Sequence, residues 1–184
     1  MIAGHFGLAA IVKSRAPRVP FALLAFATVW LDVVFVPLLL TGIEPIEALP
    51  GAHGGYGEVI IHARWTHSLA GALALSAILA LAAAWRWGRV SGAIVGGVAF
   101  SHWVLDVVVH RADIPLLPWS APVLGFGLWR VPSIAVVLEL TLVVTGTLLY
   151  SRAAMERDRR RGALAAIAML ASGLVTLVLS AMGA

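Results

Sequence analysis

Five long apolar runs, each close to the length of a membrane-spanning helix, constrain the fold of this chain. They cover residues 21–42, 60–85, 90–110, 132–150 and 162–182. A helix needs about 20 mostly apolar residues to cross the bilayer core. Charged residues make up only 12% of the chain, about half the share found in soluble domains. We therefore predict an all-α, polytopic membrane helix bundle with about five transmembrane helices, forming a single transmembrane domain over residues 1–184.

Two other segments are apolar but unsuited to a regular span. Residues 2–12 are too few to cross, so we predict a short N-terminal half-helix. Residues 113–132 contain four prolines, and each proline removes a helical hydrogen bond. We predict an interfacial or re-entrant loop there. His53, in a glycine-rich connection, is expected to be solvated.

Lysine and arginine are clustered between the apolar runs on one predicted side. Residues 13–18, 86–89 and 152–161 together hold ten of the 13 basic residues. The positive-inside rule makes those loops cytoplasmic. We predict a multi-pass protein of the bacterial inner membrane, with membrane lipids as partners and no nucleic acid partner. Homo-oligomer formation stays open, and the lack of cysteine excludes disulfides and thiolate metal sites.

Ionisable residues form a stripe along the third apolar run and its extension, which reads SHWVLDVVVHRADIPLL from residue 101. His102, Asp106, His110 and Asp113 fall within roughly 80° of one another on a helix of 3.6 residues per turn. A stripe of this kind predicts a polar cavity shared with neighbouring helices.

Acids and imidazoles from the first four predicted spans reach a similar depth. Asp32, His67, His102, Asp106 and Glu139 lie roughly 6–14 Å below the outer interface at 1.5 Å per residue. A charge at such depth costs about 3 kcal/mol even on the mildest scale, which favours a functional site. For Glu139 two interpretations stay open: membership of this layer or pairing with an arginine.

The residue types in this layer are those of a divalent metal site. His-x-x-x-Asp places two ligands one turn apart, and imidazole with carboxylate suits zinc first, with manganese or iron as alternatives. A half-helix rising from the cytoplasmic side would bring His5 to the same level. The predicted ligands are His67, His102, Asp106, Asp32, His5, His110 and His62.

A metal site of this kind favours hydrolysis, because a bound metal activates water and polarises a phosphoryl or carbonyl oxygen. In this hypothesis an unliganded carboxylate, that of Asp32 or Asp113, acts as the base, and Arg64 or Arg111 at the outer rim holds a negative substrate group. The cavity would then open toward the periplasm.

Other functions fit the same residues. A transporter or an ion or proton pathway could use the His/Asp stripe as a relay or binding site. A haem held by His67 and His102 is a third interpretation, against which the neighbouring acids argue, and a non-catalytic scaffold is a fourth. The residues therefore leave open whether the chain is an enzyme.

Four short motifs resemble the YdjM-like bacterial inner-membrane proteins, described as membrane-bound metal-dependent hydrolases. They are an early His, an Asp late in the first long run, HARWTHSL and SHWVLD, all within residues 1–113. The matching positions are His5, Asp32, His62, Thr66, His67, Ser68, Ser101, His102 and Asp106. The chain has one acid where the family pattern has two, and His62 and Arg64 are separated by an alanine.

The resemblance implies a function as well as a fold. The family is distantly similar to zinc-dependent phospholipases C and P1-type nucleases. It therefore implies metal-dependent hydrolysis of a phosphoester or other bond in a lipid-borne or membrane-proximal, periplasmic substrate.

Overall fold

The computed structural model describes residues 1–51, 58–120 and 123–182, so His53 lies outside the described residues. Seven α-helices dominate this part of the chain. They are α1 (Ile2–Arg15), α2 (Phe21–Thr28), α3 (Trp30–Leu40), α4 (Leu69–Trp87), α5 (Arg89–Val109), α6 (Pro132–Met155) and α7 (Arg159–Met182). The predicted helical fold class is confirmed.

Two short antiparallel strand pairs lie in the connections, and they were not predicted. Strand β1 (Ile46–Ala48) pairs with β2 (Val59–Ile61), and β3 (Ile114–Pro115) pairs with β4 (Val123–Leu124). A 3-10 turn at Leu128–Arg130 precedes α6.

Helices α4, α5 and α6 are long and apolar enough to cross a membrane. Helices α2 and α3 reach that standard only together, and they are bent by 47° at Val29. The described residues therefore contain three candidate spans, or four if the bent pair is one broken span. Large apolar side chains such as Leu81 and Val137 are exposed on these helices, as expected of surfaces that face lipid.

The second predicted span begins later than the apolar run suggested. Helix α4 starts directly after Ser68, whose side chain accepts a hydrogen bond from the Gly71 backbone N–H at 3.0 Å. A serine in this position satisfies a free N–H of the first turn and marks the helix start. His62, Arg64 and His67 therefore precede the helix, and their predicted places within a span were wrong.

The third predicted span ends before its polar stripe does. Helix α5 ends at Val109, and His110 has an extended backbone with φ −65° and ψ 152°. The proline-rich segment folds back over this helix end, where Gly127 N–H donates to the His110 carbonyl at 2.6 Å. That segment contains no regular α-helix in its described part, as predicted, and Asp113 lies in a turn instead of on α5.

Glycines allow two pairs of helices to approach closely. A Cβ at Gly92 on α5 would lie 2.5 Å from the Ala80 carbonyl oxygen of α4. A Cβ at Gly7 on α1 would lie 2.5 Å from the Leu142 carbonyl carbon of α6, and one at Gly146 would lie 2.3 Å from the Gly7 oxygen. These contacts hold α5 against α4 and α1 against α6.

The apolar core fills the middle of the bundle between α1, α2, α4 and α5. Its buried members are Ala9, Val19, Leu24, Ala27, Leu79, Ala83, Val95, Val98 and Ala99. A second buried cluster flanks the polar region described next, and consists of Leu31, Ala72, Trp103, Val107 and Ile114.

Candidate metal centre

The structure brings five of the predicted ligands into one group, which we name the deep cluster. It consists of His5 on α1, Asp32 on α3, His67 before α4, and His102 and Asp106 on α5. Among the described residues, two sets of three have ligand atoms within 4.8 Å of one another. One set is His5, His102 and Asp106, and the other is Asp32, His67 and His102.

The carboxylate of Asp106 contacts all three imidazoles of the deep cluster. Its Oδ2 lies 3.0 Å from His102 Nε2 and 3.7 Å from His67 Nε2, and its Oδ1 lies 3.4 Å from His5 Nε2. Asp32 Oδ1 lies 3.5 Å from Nε2 of both His67 and His102. Zinc–nitrogen bonds of 2.0–2.1 Å in a tetrahedron separate ligand atoms by roughly 3.3 Å. The observed separations of 3.0–3.7 Å are therefore compatible with ligands of a shared ion.

The imidazole of His102 is oriented by a backbone carbonyl. Its Nδ1 lies 2.6 Å from the carbonyl oxygen of Thr28, the last residue of α2. A carbonyl oxygen only accepts hydrogen bonds, so Nδ1 carries a proton and donates it. In the neutral ring Nε2 therefore has a free lone pair, which faces the carboxylates of Asp32 and Asp106.

The imidazole of His67 is oriented by two linked hydrogen bonds that connect it through Thr66 to Glu44. Thr66 Oγ1 donates to Glu44 Oε2 at 2.7 Å and lies 2.8 Å from His67 Nδ1. Because the hydroxyl has a single proton, which is directed at Glu44, it accepts from His67 Nδ1–H. The neutral His67 ring therefore also has a free lone pair on Nε2.

These two lone pairs face each other, since His67 Nε2 and His102 Nε2 are 3.3 Å apart. Two neutral acceptors at this distance repel unless a cation or proton stands between them, and two carboxylates beside them add negative charge. This donor set fits a divalent metal ion, whose ligands are neutral imidazole nitrogens and carboxylate oxygens.

The fifth member, His5, is placed by the packing of α1. Its ring stacks on that of His102, with centroids 4.1 Å apart and planes inclined by 10°. On α6, the fully buried Glu139 accepts a hydrogen bond from the backbone N–H of Gly4, the residue before His5, at 3.3 Å. Glu139 thus bonds to the N-terminal turn of α1 and lies outside both sets of ligand atoms.

The deep cluster lines a cavity of about 320 Å³ whose remaining wall is mainly apolar. The apolar lining residues are Met1, Ile2, Phe35, Val36, Ile61, Ala63, Ile114 and Trp129. His110 and Asp113 line the same cavity, with His110 Nδ1 3.4 Å from Asp113 Oδ1. This pair shares the cavity without joining either set of ligand atoms.

Three other predicted site residues lie elsewhere. Within the described part of the chain, His62, Arg64 and Arg111 are not among the residues that line the cavity. His62 Nε2 lies 3.3 Å from Glu47 Oε2 beside the β1–β2 pair. Strand β2 and the turn after it, in place of the predicted helix, direct His62 away from the cavity.

Glu44 was missed as a site residue by the sequence analysis. Its carboxylate is fully buried although the residues on either side of it, Ile43 and Pro45, are exposed. In the sequence, an acid between two apolar runs looks like a solvated loop residue. The one available signal was Thr66, whose hydroxyl lies immediately before His67 and needs a hydrogen-bond partner when buried.

The chain matches the family model described as YdjM inner membrane protein over residues 3–183. Neither a curated protein nor a solved structure is found that matches it. The match spans nearly the whole chain, so it includes the proline-rich segment, α6 and α7 as well as the motifs of the first half. The chain therefore belongs to the YdjM inner membrane protein family.

Proposed function

We propose that this protein is a metal-dependent hydrolase of the bacterial inner membrane and that its deep cluster holds a divalent metal ion. The observation that carries the proposal is the 3.3 Å separation of His67 Nε2 and His102 Nε2, which face each other beside the carboxylates of Asp32 and Asp106. Zinc suits these ligands best, and manganese or iron also accepts them.

A bound divalent metal supplies a Lewis acid and lowers the pKa of a coordinated water. Asp32 is the acid of the deep cluster most open to the cavity, since its side chain is 42% exposed. With the ion held by other members of the deep cluster, Asp32 stays unliganded and can accept a proton from a reacting water. Asp113, held beside His110 in the same cavity, is the second candidate base.

The cavity favours a substrate that brings its own apolar part. Apolar side chains form most of its wall, and no lysine or arginine is among the described lining residues. A lipid-borne phosphoester would place its chain along Phe35, Val36 and Ile114 and its charged group at the deep cluster. Arg64 and Arg111, predicted to hold that charge, gain no support from this lining.

The proposed orientation places the deep cluster toward the periplasm. Asp106 lies close to the end of α5, whereas Arg89 begins that helix beside Arg15 and Arg18. The cluster is therefore near the end of the bundle opposite to these basic residues, which the positive-inside rule assigns to the cytoplasm.

A transporter is less well supported by the packing. Helices α1 and α5, which carry His5 and His102, continue into the apolar core, where Ala9 and Val98 are buried. In the described residues this layer contains no further His or acid that would extend a relay across the bundle. Haem is disfavoured because Asp32 and Asp106 lie within 3.5 Å of the His102 Nε2 atom that would bind the iron.

Metal content and hydrolysis, measured on the same detergent-purified protein, test the proposal. We expect stoichiometric zinc or manganese in the wild type and its loss in H102A. We also expect release of nitrophenol from bis(p-nitrophenyl) phosphate or of headgroup from phosphatidylglycerol micelles, abolished by a chelator and restored by metal. A wild type that binds no metal after incubation with zinc would refute the metal site. Bound metal without hydrolysis of either substrate would refute the activity.

A further inference from the structure

Glu44 is a buried acid that the proposed hydrolysis does not use. It lies in the connection between α3 and β1, where the Ile43 and Glu44 N–H groups both donate to the Leu38 carbonyl, at 2.9 and 3.2 Å. This turn directs the Glu44 side chain inward while its neighbours stay exposed. Burying a carboxylate is costly unless it is paired or hydrogen-bonded, so its partners indicate what it does.

Within the described part of the chain, the hydrogen-bond partners of Glu44 belong to the segment immediately before His67. Glu44 Oε1 accepts from the backbone N–H groups of Trp65 and Thr66, the latter at 3.0 Å, and Oε2 accepts from Thr66 Oγ1. Charge-assisted hydrogen bonds of this type are stronger and more directional than neutral ones. Glu44 thus fixes both the backbone of this segment and the direction of the Thr66 hydroxyl.

The direction of that hydroxyl decides which nitrogen of His67 carries the proton. With its proton on Glu44, the hydroxyl can only accept from His67 Nδ1–H, which leaves the Nε2 lone pair for the deep cluster. Without Glu44, the hydroxyl is free to donate to Nδ1, and the proton of the neutral ring then moves to Nε2. That proton would occupy the position from which Nε2 faces His102 at 3.3 Å.

We propose that Glu44 is a positioning residue that acts through Thr66 on His67 and holds this imidazole in its metal-binding tautomer. The proposal rests on the proposed function, in that the deep cluster binds a metal. Outer hydrogen-bond partners of metal-bound histidines contribute typically 10–100-fold to metal affinity.

Zinc affinity, measured by competition with a chelator, tests the effect on binding. We expect E44Q and T66V to lower affinity 10–100-fold. The amide oxygen of E44Q can keep the two backbone N–H groups, so its NH₂ donates to the Thr66 hydroxyl instead of accepting from it, and T66V removes that hydroxyl. T66S retains the hydroxyl and should bind within a few-fold of wild type. E47Q is the matched control, since Glu47 is an exposed glutamate three residues away that contacts His62. Thermal unfolding of each variant verifies that it folds.

A double-mutant cycle separates positioning from general support. If Glu44 acts through His67, E44Q should cause little additional loss of affinity in an H67A background. The same 10–100-fold loss in both backgrounds would refute the proposal, as would wild-type affinity in E44Q.

Nitrogen NMR of the His67 ring in metal-free protein gives a readout that does not depend on the metal. We expect the Nδ1–H form in wild type, T66S and E47Q, and a shift toward the Nε2–H form in E44Q and T66V. An unchanged tautomer in E44Q would refute the role of Glu44. A tautomer shift in a protein that binds no zinc would refute the proposed function while leaving the role of Glu44 in place.

Discussion

The two halves of the deep cluster are held by different means. His102 and Asp106 are one turn apart on α5, so the backbone of a single helix fixes their separation. His67 lies in the connection before α4, and it depends on Thr66 at its ring and on Trp103, whose Nε1 donates to the His67 carbonyl at 2.9 Å. One half is organised by local structure, the other by contacts from distant parts of the chain.

This difference teaches where the site is rigid and where it is adjustable. A helical pair keeps its geometry as long as α5 is folded, whereas a residue in a connection keeps its geometry only while its partners stay in place. We therefore expect the α5 half to dominate metal affinity and the connection half to tune it.

Removal of the carboxylate of Asp106 should have the largest effect. It contacts His5, His67 and His102, so D106A removes the carboxylate that the three imidazoles share. We expect D106A to lose stoichiometric metal. Its metal affinity should fall more than about 100-fold, which exceeds the loss expected when only a hydrogen-bond partner of a ligand is removed. Elemental analysis measures this loss, with D113A as the control. A larger loss in H67A than in D106A would reverse the comparison between the two halves.

Removal of the metal should destabilise the protein by an amount that depends on the free metal concentration relative to its Kd. A ligand present at 100 times its Kd contributes about 2.7 kcal/mol of stability. Its ligands would come from α1, α3, α5 and the connection before α4, so chelation should lower the unfolding temperature of the wild type. H102A should show no such decrease on chelation, because it has no bound metal to lose. Equal decreases in both proteins would show that the metal stabilises the fold from another site.

Helix α1, which carries His5 and belongs to neither half, can be disturbed without substituting a ligand. An alanine at Gly7 would overlap the Leu142 backbone of α6, and overpacking of this kind costs typically 1–3 kcal/mol. We expect G7A to lower stability, because the added methyl group pushes α1 away from α6. Metal binding should weaken as well, because α1 carries His5 and its displacement moves that imidazole. The control is G97A on α5, where the added Cβ meets no atom within 4 Å. Equal stability of G7A and G97A would contradict the close packing of α1 and α6.

Substitution of His62 should have the smallest effect. Its ring pairs with Glu47 outside the cavity, and exposed pairs contribute typically 0–1 kcal/mol. We expect H62A to bind metal as the wild type does and to unfold no more than about 2–4 °C below it, as measured by elemental analysis and a thermal scan. Loss of metal in H62A would return this residue to the ligand set and would extend the connection half of the site.

The site was predicted best where its residues share one helix. His102 and Asp106 are adjacent on α5 because their spacing is that of one helical turn, and the sequence states that spacing directly. The same logic placed His62 and His67 on a helix, and it failed there because Ser68 caps α4 and begins it later. The apolar run contains most of strand β2 and a turn before α4 begins. Periodicity in a short apolar run does not distinguish a strand or a turn from a helix.

What the sequence determined by itself is the helical membrane bundle, the family motifs and the polar face of α5, because hydrophobic run length and helical spacing are local properties. The tertiary structure alone decided that His5 stacks on His102, that Glu139 bonds to Gly4 across 135 positions of sequence, and that Glu44 supports His67. Contacts of that kind depend on helix packing and on hydrogen bonds between distant segments. A buried acid obtains its partners only when the whole chain has folded around it.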